Sequence, residues 1–189
     1  MQAIGIYANS KKIKEKEYCH NHLNFFFNYS IIKQLGGVLV LLDEELMLKA
    51  LELAKKAYEL GECPVGAIVV DKDNNIIGEG YNLRETNQSP TAHAEIIAIE
   101  QAAKALGQWR LSDCTLYVTL EPCPMCAGAI INSRLKRVVY GAFDDKGGAC
   151  SSLLNLFEYP FNHKPLVRSR ILSEQCGEIL TDFFDKLRD

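Results

Sequence analysis

Two short motifs, thirty residues apart, contain side chains that could bind a metal ion and use it. The first is His93-Ala-Glu95, and the second is Pro122-Cys-Pro-Met-Cys126. Imidazole nitrogen and thiolate sulfur are common ligands of zinc, and three protein ligands leave the fourth tetrahedral position open to water. Each motif is a weak signal alone, because a Cys-x-x-Cys pair also occurs in redox pairs and in structural four-cysteine sites.

Both motifs fall where a helix is predicted to begin, and this placement favours a shared site. Pro124 suits the first position of a helix, where its missing N–H is not needed, so Cys123 would be the N-cap. Free N–H groups and the positive end of the helix dipole favour thiolate at Cys123 and Cys126. Inside a helix His93 and Glu95 would point about 200° apart, but at a helix start both can face a site beyond its end.

The predicted metal ligands are therefore His93, Cys123 and Cys126, and the predicted catalytic residue is Glu95. Zn²⁺ bound by two thiolates and a neutral imidazole has no net formal charge, so it acidifies its water less than a three-histidine site would. A neighbouring base is then useful, and Glu95 can take a proton and deliver it elsewhere. A structural metal or an idle site stays open as the alternative, although a structural site has no need of the glutamate.

The segments around these motifs predict an alternation of strands and helices that begins at Asp43, a candidate helix N-cap. The predicted strands cover residues 65–70, 76–81, 114–120, 137–140 and 166–172. The predicted helices cover residues 43–60, 92–106, 124–132, a short segment near 153 and the chain from 173. Strands that alternate with helices indicate an α/β fold with helices on both faces of one sheet.

The composition is that of a globular protein of one ordinary domain, with 48% hydrophobic and 24% charged residues in a chain of 189. The whole chain carries a formal charge of −3, and residues 1–42 contribute +3, so residues 43–189 carry −6. Proteins that bind nucleic acids usually show a basic surface. The charge therefore counts against a polynucleotide substrate unless a local basic patch exists.

Seven cysteines at irregular intervals do not form the pattern of a small secreted disulfide protein. We therefore expect a reducing compartment and a cytoplasmic protein. The most apolar run, residues 23–42, is interrupted by Lys33 and by Gly36-Gly37, so neither a membrane span nor a signal peptide is predicted.

Longer runs around the two motifs resemble bacterial tRNA-specific adenosine deaminases, members of the cytidine and deoxycytidylate deaminase-like zinc enzymes. The combination of His-x-Glu with Pro-Cys-x-x-Cys is the recognised signature of zinc nucleobase deaminases. The resemblance extends over about residues 43–188. The runs that carry it are Asn82-Leu-Arg-Glu-Thr86, Pro90-Thr-Ala-His-Ala-Glu-Ile96, residues 116–128 and residues 140–149.

This resemblance implies a cytidine-deaminase-like fold, a three-layer α/β/α sandwich with a five-stranded mixed sheet, in a homodimer. It implies hydrolytic deamination of the wobble adenosine of a tRNA anticodon stem-loop to inosine by zinc-activated water, with Glu95 protonating N1 of the flipped-out base. By position, four residues match substrate-binding positions of the family: Asn82, Val65, Leu120 and Asp144.

Two other functions stay open from the sequence. The first is deamination of a free nucleobase or nucleoside, of the guanine or cytosine type, on the same fold, which the acidic charge favours. The second is a catalytically silent partner subunit that binds RNA, which an intact Glu95 argues against. The lysine- and arginine-rich tail of many relatives is also missing, because the sequence ends at Lys186-Leu-Arg-Asp189.

Residues 1–42 have no counterpart in the family, and we expect them to be a poorly structured extension that arises from a mis-assigned start. Gly36-Gly37 can be encoded by a GGAGG-containing sequence that resembles a ribosome-binding site. Val40, Leu41 and Leu42 can each be specified by alternative start codons. The zinc deaminase domain would then cover residues 43–189.

We therefore expect the endogenous protein to begin immediately before Asp43. Mass spectrometry of its N-terminal peptide checks this expectation. A chain that begins at Met1 would contradict it and would favour a basic arm that grips RNA.

Overall fold

The computed structural model describes residues 41–188, which form one α/β unit from residue 43 onward. The first helix, α1, covers residues 41–59. The other helices are α2 (Ala94–Leu106), α3 (Pro124–Ser133) and α4 (Ser173–Lys186). The strands are β1 (Gly66–Val70), β2 (Ile76–Tyr81), β3 (Thr115–Leu120), β4 (Arg137–Ala142) and β5 (Leu166–Arg168). Because residues 1–40 lie outside the described residues, the predicted extension over residues 1–42 stays a prediction.

The five strands form one mixed sheet in the order β2-β1-β3-β4-β5. Strand β1 is antiparallel to β2 and β3, whereas β3, β4 and β5 run parallel. Helices α2 and α3 cover one face, and α1 and α4 cover the other. The predicted three-layer α/β/α sandwich with a five-stranded mixed sheet is therefore confirmed.

The carboxyl ends of β2, β3 and β4 meet at one edge of the sheet, because β1 is antiparallel to both of its neighbours. Helix α2 follows β2 and helix α3 follows β3, so both begin just beyond this edge. Open α/β sheets commonly bind ligands outside the carboxyl ends of their strands. The topology therefore brings the two sequence motifs to the same edge.

The last strand and the short helix differ from the prediction. Strand β5 ends at Arg168, whereas the sequence pattern predicted a strand to residue 172. Arg170 and Leu172 have φ angles of 67° and 51°, which belong to the left-handed region and cannot continue a strand. The helix predicted near residue 153 is a single 3-10 turn, Leu156–Glu158. Within residues 41–188, no helix has the length and hydropathy that crossing a membrane requires.

Asp43 is not the N-cap of α1, because residues 41 and 42 are already helical. Its side chain is fully buried and accepts hydrogen bonds from Tyr117, at 2.7 Å, and from Arg137 and Arg168, both at 2.6 Å. Burial alone would raise the pKa of Asp43, but the hydrogen bonds of Arg137 and Tyr117 and the two guanidinium charges outweigh it and lower the pKa. The carboxylate thus ties α1 to β3, β4 and β5.

We expect Asp43→Asn to lower the free energy of unfolding by roughly 3 kcal/mol, because the change leaves two arginines with one neutral partner in a buried site. Since folding lowers the pKa of Asp43, its contribution is present near neutral pH and is lost as pH falls through the folded-state pKa. Denaturant unfolding at several pH values measures both effects. Asp73→Asn, at an exposed ion pair, is the control and should change stability by less than about 1 kcal/mol.

Candidate metal centre and active-site pocket

The predicted ligands lie at the two helix starts. His93 is the N-cap of α2, with φ −80° and ψ 152°, and Cys123 is the N-cap of α3, with φ −72° and ψ 172°. Pro124 occupies the first turn of α3, as its missing N–H favours. The extended conformation of both N-cap residues turns their side chains toward the space beyond the helix ends. Cys126, the third residue of α3, is fully buried.

The three candidate ligand atoms form a compact triangle. His93 Nδ1 lies 3.8 Å from Cys123 Sγ and 3.6 Å from Cys126 Sγ. A tetrahedral zinc ion with Zn–S bonds of about 2.3 Å and Zn–N bonds of about 2.0 Å separates its ligands by about 3.5–3.8 Å. The triangle is therefore compatible with zinc, and it is the single His, Cys, Asp or Glu cluster of such spacing within residues 41–188.

The two thiols have strongly different proton affinities. The hydrogen bond with Cys126, helped by His93, lowers the pKa of Cys123 to about 4. The same hydrogen bond, together with burial, raises the pKa of Cys126. The pair thus contains a thiolate at neutral pH, the form in which cysteine binds metals. A bound cation would stabilise the second thiolate as well, since metal binding displaces protons from its ligands.

Glu95 lies in the first turn of α2, and only 3% of it is exposed. Burial raises the pKa of its carboxyl group to about 7, against the opposing effect of nearby hydrogen bonds and of His93. Its Oε2 has no hydrogen-bond partner among the described residues, and no other buried side-chain oxygen or nitrogen there lacks one. Buried polar atoms normally have partners, so an unpartnered carboxylate oxygen beside three candidate ligands indicates a site built for something that binds.

The cluster borders a pocket of about 170 Å³. All four residues predicted to bind substrate line this pocket, and so do His93, Glu95 and Cys123. Their roles toward a substrate remain predictions. Wider depressions beside α4 and beside Trp109 contain none of the predicted site residues. The complete lining is Cys63, Val65, Asn82, Arg84, His93, Glu95, Leu120, Glu121, Cys123 and Asp144.

Asn82 has a positioning role that the sequence did not suggest. Its Nδ2 donates a hydrogen bond to the carbonyl oxygen of Cys63, at 3.1 Å. Its Oδ1 accepts a hydrogen bond from the N–H of Ala94, also at 3.1 Å, at the first residue of α2. Asn82 therefore holds the start of α2, and with it His93, against the segment before β1. The remaining amide hydrogen and lone pair of Asn82 are left for a ligand in the pocket.

Two residues of the pocket wall, Cys63 and Glu121, were not predicted from the sequence as site residues. Glu121 directly precedes the Pro-Cys-x-x-Cys motif at the end of a buried strand, and an acidic residue in that position was a signal that could have been used. Arg84 was expected from the sequence as one of several basic residues available for phosphate contacts, and the structure places it on the pocket wall. Cys63 resembles the other small buried cysteines in the sequence.

The family model described as MafB19-like deaminase matches residues 42–188. A tRNA-specific adenosine deaminase of Bacillus subtilis is 54% identical over 147 residues, which are 77% of this chain and 91% of the relative. A solved structure from a study of A-to-I editing by tRNA:A34 deaminases has 44% identity and a TM-score of 0.70, over 72% of this chain and 99% of its own.

Solved structures with lower sequence identity include enzymes named for a different activity. The guanine deaminase of Nitrosomonas europaea has 25% identity and a TM-score of 0.61, over 74% of this chain and 83% of its own. The family model, the 54% identity and the nearly complete coverage of the relative all agree with the resemblance read from the two motifs. This chain therefore belongs to the tRNA-specific adenosine deaminase family.

Proposed function

We propose that the protein converts adenosine at the wobble position of a tRNA anticodon to inosine, by hydrolytic deamination. The observation that carries the proposal is the buried, unpartnered Oε2 of Glu95 beside the His93, Cys123 and Cys126 triangle. A structural metal site would not need this carboxylate. The names of the relatives and of the solved structure with 44% identity support adenosine in tRNA as the substrate.

The reaction adds water to C6 of adenine and releases ammonia, so protons have to move between water, the ring and the departing amine. Zinc held by His93, Cys123 and Cys126 would supply a Lewis acid that lowers the pKa of water. Glu95 takes one proton from water and gives it to N1 of the ring. It then helps a proton reach the exocyclic nitrogen, which leaves as ammonia. A carboxyl group whose pKa is close to neutral suits such two-way transfer.

The size of the pocket favours a single flipped-out base over a larger ligand. Its volume of about 170 Å³ is below the range of about 300–1,000 Å³ that is usual for drug-sized ligands. An unpaired anticodon base needs little unstacking energy to enter. Arg84, on the pocket wall, and Lys146, in the loop that contains Asp144, are exposed and offer charge for flanking phosphates. This local positive charge would favour RNA binding despite the formal net charge of −6 on residues 43–189.

The protein acts as a cytoplasmic homodimer in this proposal. Helix α3 contains no charged residue, and exposed apolar side chains follow it in the chain at Leu154, Tyr159 and Phe161. A second copy of the chain is the occupant that would cover these exposed apolar side chains, as the family resemblance implies. The irregular spacing of the cysteines supports a reducing compartment.

The first prediction from this proposal concerns the metal. The purified protein should contain about one zinc ion per chain, and Cys123→Ser or Cys126→Ser should lose it, because each removes a thiolate ligand. Cys114→Ser is the matched control, since this buried cysteine directly precedes β3, at the end of the strand opposite to the site. Metal analysis of the variants measures the outcome. Zinc loss in Cys114→Ser would argue for a closed structural site.

The catalytic prediction concerns Glu95→Ala, which should retain zinc and lower turnover by about a thousandfold, because the proton carrier is gone. Metal analysis together with inosine formation separates the two effects. Turnover close to that of the unaltered protein would contradict the role of Glu95.

The substrate prediction compares a tRNA anticodon stem-loop that carries wobble adenosine with free adenosine, guanine and cytosine. Ammonia and inosine should form from the stem-loop and not from the free compounds. Activity should fall as the salt concentration rises, because protein contacts to phosphates release counterions. Asn82→Ala should lower stem-loop turnover without loss of zinc, because the close packing of α2 on Gly78 and Gly80 also holds His93 in place. A stem-loop with uridine at the wobble position is the control. Rapid deamination of a free base with none of the stem-loop would favour the alternative, a nucleobase deaminase.

A further inference from the structure

Glu121 holds one loop at the pocket by an unusual number of hydrogen bonds. Its Oε1 accepts from the N–H groups of Cys150, Ser151 and Ser152, at 3.0, 2.7 and 2.9 Å. Its Oε2 accepts from the N–H of Asp144, at 3.3 Å, and from the hydroxyl of Ser152. This carboxylate thus gathers both ends of the segment from Asp144 to Ser152, which we call the Asp144 loop.

Gly148 of this loop packs closely against Glu121. A Cβ on Gly148 would lie 2.5 Å from the carboxyl carbon of Glu121 and 2.6 Å from its Oε2. The loop therefore passes directly over the carboxylate. Only 2% of Glu121 is exposed, so its charge is stabilised by the loop N–H groups and not by water.

Glu62 holds a second loop in the same manner. It lies between α1 and β1, and only 2% of it is exposed. Its Oε1 accepts from the N–H of Thr86, at 2.7 Å, and its Oε2 accepts from the N–H of Glu85, at 3.3 Å. These N–H groups belong to the segment between β2 and the N-cap of α2, residues 82–92, which we call the Arg84 loop. Arg84 and Asn82 of this loop line the pocket.

In the proposed function the pocket receives an RNA strand. The negative charges of Glu62 and Glu121 would repel the phosphates of that strand. Among polar side chains, however, an ionised carboxylate accepts hydrogen bonds and donates none. It has about four lone-pair positions on its two oxygens. Glutamine would turn one oxygen into an NH₂ group that faces backbone N–H donors. The retained charges are therefore explained by the loops that they organise.

We propose that Glu62 and Glu121 are positioning residues that fix the Arg84 loop and the Asp144 loop in the conformation that binds the RNA strand. This inference rests on the proposed tRNA substrate and extends it. The two carboxylates determine how tightly the stem-loop binds, whereas the metal ligands and Glu95 determine the rate of the chemical step.

The test uses zinc-loaded Glu62→Gln and Glu121→Gln, with Glu59→Gln as the matched control. Glu59 lies exposed at the end of α1, so its substitution removes the same charge and no loop contact. We expect the KM for the stem-loop to rise about tenfold or more in both variants, because several hydrogen bonds to a charged acceptor are lost in each loop. The kcat and the zinc content should stay close to those of the control.

Hydrogen exchange provides a second measurement that is independent of RNA. Amides of residues 84–86 should exchange faster in Glu62→Gln, and amides of residues 144–152 should exchange faster in Glu121→Gln, each without the other. If Glu121→Gln does not fold, Ser152→Ala removes a single contact to Glu121 and should raise KM in the same direction by a smaller factor.

Unchanged KM in both variants, or a fall in kcat and zinc content with KM unchanged, would overturn the inference while the proposed function stands. Inactivity of the unaltered protein on the stem-loop would overturn the proposed function and this inference together. A rise in KM equal to that of Glu59→Gln would show a general effect of charge and would also overturn it.

Discussion

The close contact of α2 with the sheet is the constraint on which the site depends. Gly78 and Gly80 of β2 lie so close to this helix that a Cβ would come within 2.2 Å of the Ala98 carbonyl oxygen and 2.1 Å of the Ala94 carbonyl oxygen. Neither position tolerates a side chain without displacement of the helix backbone. The glycines therefore set the distance of α2 from the sheet, and this distance sets the position of its N-cap, His93.

The connection between β3 and α3 places the other two candidate ligands, Cys123 and Cys126. Helix α3 follows β3 after a turn of three residues, so the end of the strand fixes where Cys123 can lie. The parallel direction of β2 and β3 then brings both helix starts to one edge. A metal ion would add attraction between elements that the fold has already brought together, and folding of the domain would not depend on it to the degree seen in small zinc modules.

Short sequence patterns predicted the helix starts and the order of strands and helices, which depend on neighbouring residues. Pro124 gave the start of α3, and the alternation of strands and helices gave the layers. The prediction was wrong at Asp43, because its type and position favour an N-cap, whereas its partners Arg137 and Arg168 lie 94 and 125 residues further along the chain. Glu62 was missed for a similar reason. Its carboxylate accepts a hydrogen bond from Thr86, and only the tertiary structure brings these two residues together.

Four carboxylates are buried within residues 41–188, and they differ in the groups that stabilise their charge. Asp43 is neutralised by arginines, and Glu62 and Glu121 are stabilised by backbone N–H groups. Glu95 alone has an oxygen without a partner. Because a buried carboxylate without full hydrogen bonding is unstable as an anion, it readily accepts a proton. The three satisfied acids make a rigid frame, and the unsatisfied one is free to exchange protons with whatever enters the pocket.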